Sequence, residues 1–217
     1  MKGLLIKDFK LMKNQGRSYI MIALMCVIMG ISLDDWVFVV GYMTGIGGLF
    51  ALGSISYDEF DNGYSFLFSL PVTRRGYAVE KYGFGILMGV CTWLFALVTV
   101  IVTGSLRQTV TVKEVLPQAG IFLPVLLILM AVMLPFHLKY GGEKGRIAIF
   151  ICFGAFFVIV FVMKKLVDVS RINVSSVISR LSEMGVGVLY LLIFAVSLVI
   201  LLISLRISIG IMEKKEF

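Results

Sequence analysis

Side chains that attack, ionise or coordinate are scarce in this sequence, and few stand at a spacing that makes chemistry. Its one histidine, His137, lies at the end of an apolar run, three residues before Tyr140. Without a partner to make it a base, it reads as an interfacial anchor. Cys26, Cys91 and Cys152 each fall inside an apolar run, none at metal-ligand or redox spacing from another, and read as small buried hydrophobes. Neither an HExxH zinc helix nor a GxSxG nucleophile elbow is present. The run Gly141-Gly142-Glu143-Lys144-Gly145-Arg146 is glycine-rich and basic, yet it lacks the spacing and the Lys-Ser/Thr ending that cradle phosphates. It reads as a tight turn. The chain is expected to hold no metal, no cofactor and no catalytic residue, and to be unable to hydrolyse ATP by itself.

The segment 57–81 is different. It mixes acids (Asp58, Glu59, Asp61) and aromatics with an apolar run closed by Leu70-Pro71, followed by Arg74, Arg75 and Lys81. Elsewhere the polar groups are uncharged: Thr44, Thr92, Thr99 and Thr103 lie within apolar runs. They could line a passage for an amphipathic solute or bond back to their own helix carbonyls.

The elements that must position these groups are set by hydrophobicity. Apolar residues make up 59% of the chain and charged residues 15%, against roughly 45–50% and about 25% in a soluble domain. Crossing about 30 Å of hydrocarbon takes roughly 20 apolar residues in a helix. Six runs qualify or nearly so, at 18–33, 36–56, 82–106, 120–138, 147–163 and 186–205. As drawn, none contains Asp, Glu, Lys or Arg. The basic stretch before residue 18 resembles a secretory leader, but no small-x-small site follows, so 18–33 reads as a retained span. Residues 1–217 therefore form a single all-α integral membrane domain. Only Asp34 and Asp35 separate the first two spans, a tight helical hairpin.

Orientation follows from the basic residues. The N-terminus, the 57–81 segment, the 139–146 loop and the C-terminus together carry fourteen lysines and arginines, against six in the alternate loops. By the positive-inside rule both termini and the 57–81 segment are cytoplasmic. Tyr19, Tyr57, Tyr82 and Tyr140 fall at these ends, where an amphipathic ring is favoured. The net charge of +7 then reflects lysines and arginines beside anionic headgroups and membrane lipid, with no nucleic acid implied.

Two further segments look ordered. Residues 3–13 place Leu5, Phe9 and Met12 on one helical face, the pattern of an interfacial helix or of a cytoplasmic extension of the first span. Val174, Val177, Ile178, Leu181 and Met184 repeat at helical spacing, which suggests a short amphipathic helix at the outer leaflet. Gly41, Gly45 and Gly48, with Gly85 and Gly89, line faces that allow close helix approach, by general packing or at a dimer seam. No internal repeat occurs.

The residues Ser56-Tyr57-Asp58-Glu59, Gly63, Phe66-Leu67-Phe68-Ser69-Leu70-Pro71-Val72-Thr73-Arg74-Arg75 and Tyr77-Ala78-Val79-Glu80-Lys81-Tyr82 resemble the ABC-2 type transporter permease family. The likeness is greatest to small six-span permeases of Gram-positive bacteria, the group that includes the phenol-soluble modulin exporter. The opening Met1-Lys2-Gly3-Leu4-Leu5-Ile6-Lys7-Asp8-Phe9-Lys10 and the 139–146 loop are also similar. The resemblance implies a type V exporter-like fold in the bacterial cell membrane, with a coupling helix between spans two and three and short external helices between spans five and six. It implies pairing with a second, identical permease and two copies of a cytoplasmic ATPase subunit, which would hold the ATP and Mg. On that reading Asp58, Glu59, Asp61, Arg74 and Arg75 would contact the ATPase, while Leu70 and Pro71 shape the turn. An exporter of amphipathic peptides, other antimicrobials or hydrophobic compounds is the first expectation. An ATPase-independent carrier or channel and an intramembrane enzyme are the alternatives.

Overall fold

The computed structural model describes residues 2–14, 16–33, 35–60, 63–108, 111–170 and 186–215. The described residues fold into helices and contain no strand. In chain order these are α1 (Lys2–Asn14), α2 (Gly16–Ser32), α3 (Trp36–Glu59), α4 (Gly63–Ser69), α5 (Arg74–Arg107), α6 (Val112–Gly120), α7 (Phe122–Ser170) and α8 (Val186–Lys214).

Local chemistry sets the helix ends. Asp35 accepts hydrogen bonds from the Val37 and Phe38 N–H groups at 3.1 and 3.2 Å and so starts α3. Thr73 does the same for α5 through the Gly76 N–H at 3.1 Å. Gln108 ends α5 in the left-handed region, φ 57°, returning its N–H to Gly104 and Ser105 carbonyls.

Among the described residues, Trp36–Glu59, Arg74–Arg107, Val112–Gly142 and Gly187–Lys214 are long and apolar enough to cross a membrane. The pair formed by α1 and α2, bent by 72°, would make a fifth crossing. The expected span 147–163 falls in the second part of α7, which stays helical to Ser170. The expected boundaries were too narrow. Helix α5 has 34 residues and is about 51 Å long at about 1.5 Å per residue, roughly 20 Å more than the hydrocarbon layer. Its first two turns, with Glu80 and Lys81, are helix that the apolar pattern did not include. Likewise α3 continues to Glu59, and the fourth crossing begins at Val112.

Helix α3 lies most extensively against α5, and α7 against α8, with α3 also packed on α7. The α3–α5 approach is close because a Cβ on Gly47 would come 3.0 Å from the Gly89 Cα. Gly41, Gly48, Gly85 and Gly89 are likewise covered by Phe122, Leu126 and Met130 of α7, whereas nothing lies within 4 Å of Gly45. These glycines serve packing inside the chain. All four threonines bond back to their own helices: Thr44 to Val40, Thr92 to Met88, Thr99 to Phe95 and Thr103 to Thr99.

The 139–146 turn contracts to one residue. Helix α7 breaks at Gly141, φ 78° and ψ −177°, a conformation glycine tolerates best. Residues eight apart in an unbroken helix are separated by about 12 Å along the axis. A Cβ on Gly145, however, would come 3.3 Å from the His137 Cα. The chain therefore doubles back at Gly141. Ion pairs and hydrogen bonds gather α1, the ends of α3 and α8, α4, the start of α5 and this break at one end of the bundle, the four segments that the basic residues had grouped together.

Several expectations are corrected. Leu5 and Met12 of α1 pack partly buried against the core, but its most buried positions are Leu4 and Asp8, while Phe9 is half exposed beside Phe84. Tyr82 is buried and its hydroxyl meets Ser204 and Ser208 of α8 at 2.6 and 2.8 Å, so it ties helices together and does not anchor to headgroups. His137 is buried as well, because the doubled-back chain covers it. Cys26 is buried, but Cys91 lies on the outer face of α5. The expected helix at 174–184 lies outside the described residues.

Candidate functional site

Three helices each present an i, i+4 pair of residues to one point: Leu4 and Asp8 on α1, Ser54 and Asp58 on α3, Tyr77 and Lys81 on α5. Lys81 is fully buried. Its ammonium contacts Asp8 Oδ2 at 2.5 Å, Ser54 Oγ at 2.6 Å and Asp58 Oδ2 at 2.8 Å. Tyr77 donates its hydroxyl proton to Asp58 Oδ2 at 3.0 Å, and Ser54 donates to Asp8 Oδ2 at 3.1 Å. Lys7, partly exposed, closes the outer side against Asp58 Oδ1 and, at 3.3 Å, Asp8 Oδ1. Burial pushes the Asp8 carboxyl up, but the Lys81 charge and hydrogen bond outweigh it and hold Asp8 below the ordinary carboxylate value. The cluster fixes α1 onto the α3–α5 pair through charges that cannot separate without being left unpaired in the interior.

A second assembly sits at the Gly141 break. There the helical bond from the Gly142 N–H to the Leu138 carbonyl is missing, and each half finds a charged replacement. Glu59 Oε2 accepts the Gly142 N–H at 2.7 Å, and Lys215 Nζ donates to the Leu138 carbonyl at 3.0 Å. Burial lowers the Lys215 pKa, with Glu59 opposing that shift. Because Gly142 N–H already binds a carboxylate, the glycine-rich run is filled from within and does not fit a nucleotide phosphate. Arg74 similarly serves the end of α8, donating to the Glu213 and Lys215 carbonyls at 2.9 and 2.7 Å.

The short helix α4 is seated on these groups. Its Tyr64 ring lies edge-on to Tyr77, centroids 5.9 Å apart, and 4.8 Å beneath Lys215 Nζ. Burial raises the Tyr64 pKa and keeps the phenol neutral. Phe68 also meets Tyr77 edge-on at 5.8 Å and carries the Arg74 guanidinium 5.9 Å above its ring. After α4 the Val72 N–H donates to the Leu70 carbonyl at 2.6 Å, a three-residue turn centred on Pro71. Outward from this seat point Phe60, Phe66, Leu70, Pro71 and Arg75, with Phe66 71% exposed.

The sequence-derived residues thus separate. Leu70, Pro71 and Arg75 are on the surface, and Leu70 and Pro71 do form the turn. Asp58 is turned into the ionic cluster, Glu59 onto Gly142 and Arg74 onto the end of α8. Asp61 lies outside the described residues. Sequence reasoning had not joined Asp8, Ser54, Tyr77, Glu80 and Lys81 into a site, because Asp8 fell in the 3–13 helix, Ser54 inside the 36–56 span and the other three in the 57–81 segment. The available signal was polar residues four apart on otherwise apolar faces. Beside this end, a cavity of about 700 Å³ opens between α3 and α7, lined by Leu49, Leu52, Ser56, Tyr57, Met133 and His137 among others.

In comparisons with known proteins, a family profile described as ABC-2 family transporter protein matches residues 3–213. No curated protein and no solved structure matches the chain.

Proposed function

The chain belongs to the ABC-2 family of transporter proteins, the membrane-spanning permeases of ATP-binding cassette transporters, and from that premise we propose that it is the permease of an exporter driven by a cytoplasmic ATPase through α4. The observation that carries this reading is a division of labour within 57–81. Asp58, Glu59 and Arg74 are spent internally on α1, α7 and α8, whereas Phe60, Phe66, Leu70, Pro71 and Arg75 face outward from a rigid seat. A surface of exposed aromatics around a short, firmly based helix suits insertion into a groove of a partner protein. Force applied to α4 would reach α5 through Tyr77, α8 through Arg74 and the Gly141 break through Glu59 and Lys215, as rigid-body rocking of packed helices. α1 lies along the membrane surface, with both termini and α4 in the cytoplasm.

The partner would contribute two ATPase copies with their ATP and Mg, and a second, identical permease would complete the assembly. The cargo is an amphipathic peptide or another hydrophobic, antimicrobial compound. The largely apolar cavity edged by His137, Ser56 and Tyr57 supports that class, since it offers apolar wall with a few polar groups.

The test is co-purification of the chain with its ATP-binding subunit, followed by ATPase assays on the reconstituted complex. Phe66→Asp and Arg75→Glu are expected to abolish association or permease-stimulated hydrolysis while leaving the thermal stability of the isolated permease unchanged. Stimulated hydrolysis at the wild-type rate in both variants would place the docking surface elsewhere.

A further inference from the structure

The ionic cluster contains one group that the contacts above leave unexplained. Glu80 lies one residue before Lys81, its side chain is 1% exposed, and neither of its carboxylate oxygens has a hydrogen-bond partner. Its nearest cation is Lys81 at 3.8 Å, an ammonium already committed to Asp8, Asp58 and Ser54. Asp8 Oδ1 is likewise buried without a hydrogen bond, although the Lys7 ammonium stands 3.3 Å from it, and Asp8 is the carboxyl that faces Glu80. Two carboxylates in contact both accept and neither donates, so they repel unless one carries a proton.

The charges point the same way. The groups facing Glu80 are Lys81 on its own helix and Lys7 and Asp8 of α1, with Asp58 of α3 and Tyr77 joined through Lys81. Two ammonium groups, Lys81 buried and Lys7 partly exposed at the rim, therefore meet three buried carboxyls. With all of them ionised the cluster holds one uncompensated negative charge, an arrangement that buried sites avoid by taking up a proton. One proton balances the charge, gives Glu80 a donor and gives Asp8 Oδ1 the bond it lacks.

We propose that Glu80 is a proton-binding site, which keeps a proton at neutral pH and donates it to Asp8 Oδ1, so that the seating of α1 on the α3–α5 pair is sensitive to pH. On deprotonation the proton leaves to solvent, Glu80 repels Asp8, and the contact between α1 and α5 weakens. This inference concerns the permease alone and stands whether or not α4 docks an ATPase.

The experiment uses the full-length chain in lipid nanodiscs, with infrared difference spectroscopy of the protonated carboxyl stretch and thermal denaturation over neutral to mildly alkaline pH. The wild type is expected to show the protonated-carboxyl band at neutral pH and a melting temperature that falls as pH rises. Glu80→Gln keeps a neutral donor toward Asp8; it should lose the band and melt at a temperature nearly independent of pH over this range. Asp8→Asn removes the surplus negative charge while leaving Glu80 in place, so here too the band should vanish, now because Glu80 ionises beside Lys81. A purely steric role for Glu80 would leave the band and the slope of Asp8→Asn unchanged. Absence of the band in the wild type, its persistence in Glu80→Gln, or its persistence in Asp8→Asn would each overturn the proposal.

Discussion

Replacing Lys81 by methionine keeps the length of the side chain and removes its charge. The ammonium is the common partner of Asp8, Asp58 and Ser54 at 2.5, 2.8 and 2.6 Å, and neither Lys81 nor Asp8 is solvent-exposed. Without it, Asp8 and Asp58 face each other across the α1–α3–α5 junction with only Lys7, at the outer rim, to compensate them. Removing one partner of a buried ion pair costs about 3–5 kcal/mol, because the charge left behind is no longer solvated by water or by its counterion. At about 1.4 kcal/mol per tenfold, that is a loss of roughly 140- to 3,700-fold in the folding equilibrium constant. The assay is reversible unfolding of the reconstituted chain by a denaturing detergent titrated into mild-detergent micelles, followed by tryptophan fluorescence. Most of the loss should return in the triple variant Lys81→Met, Asp8→Asn, Asp58→Asn, since exchanging a whole buried ionic group for neutral side chains of similar volume is often close to neutral. A loss below about 1 kcal/mol in Lys81→Met, the level of an exposed pair, would refute the reasoning. So would a triple variant that is less stable than the single one.

Two other expectations follow from the geometry. Asp8 is held below its ordinary value of 3.8, so its contribution is complete above that value and disappears as pH falls through the lower, folded value. Thermal denaturation should therefore show an acid-side loss of stability that is reduced in Asp8→Asn. Gly141→Ala should destabilise the chain by about 1–2 kcal/mol or more, because φ is 78° and a Cβ would run into the Glu59 carboxylate. Gly45→Ala, in open space within α3, should be neutral or stabilising by up to about 1 kcal/mol. The same detergent titration measures both, and equal effects at the two positions would contradict the turn described at Gly141.

The docking surface proposed above and the internal network use different residues. Asp58 and Glu59 stand beside Phe60, yet the first two are consumed by Lys81 and Gly142 while the third is exposed. Charge reversal at Asp58 or Glu59 would disturb packing before it reported on a partner. Phe66 and Arg75, exposed and outside that network, are the residues whose substitution would test the proposed docking without disturbing it.

Sequence by itself determined that this is an all-helical membrane protein. Burial of backbone polar groups in hydrocarbon admits little besides helices, and hydrophobic run length therefore states both the element and its surroundings. It also grouped the N-terminus, the 57–81 segment, the 139–146 turn and the C-terminus at one end, since crossings alternate and basic residues cluster. The family match over residues 3–213 agrees with the resemblance carried by the 57–81 motif. Tertiary structure alone decided what the charges do. A hydropathy pattern ends a span at the first ionised residue, so it assigned Asp58, Glu80 and Lys81 to water, whereas the helices continue through them. Whether a charge at such a margin is solvated or buried depends on a partner arriving from elsewhere, here Asp8, 73 residues from Lys81 in sequence. No local pattern encodes that meeting; only the packing of α1 across α3 and α5 creates it.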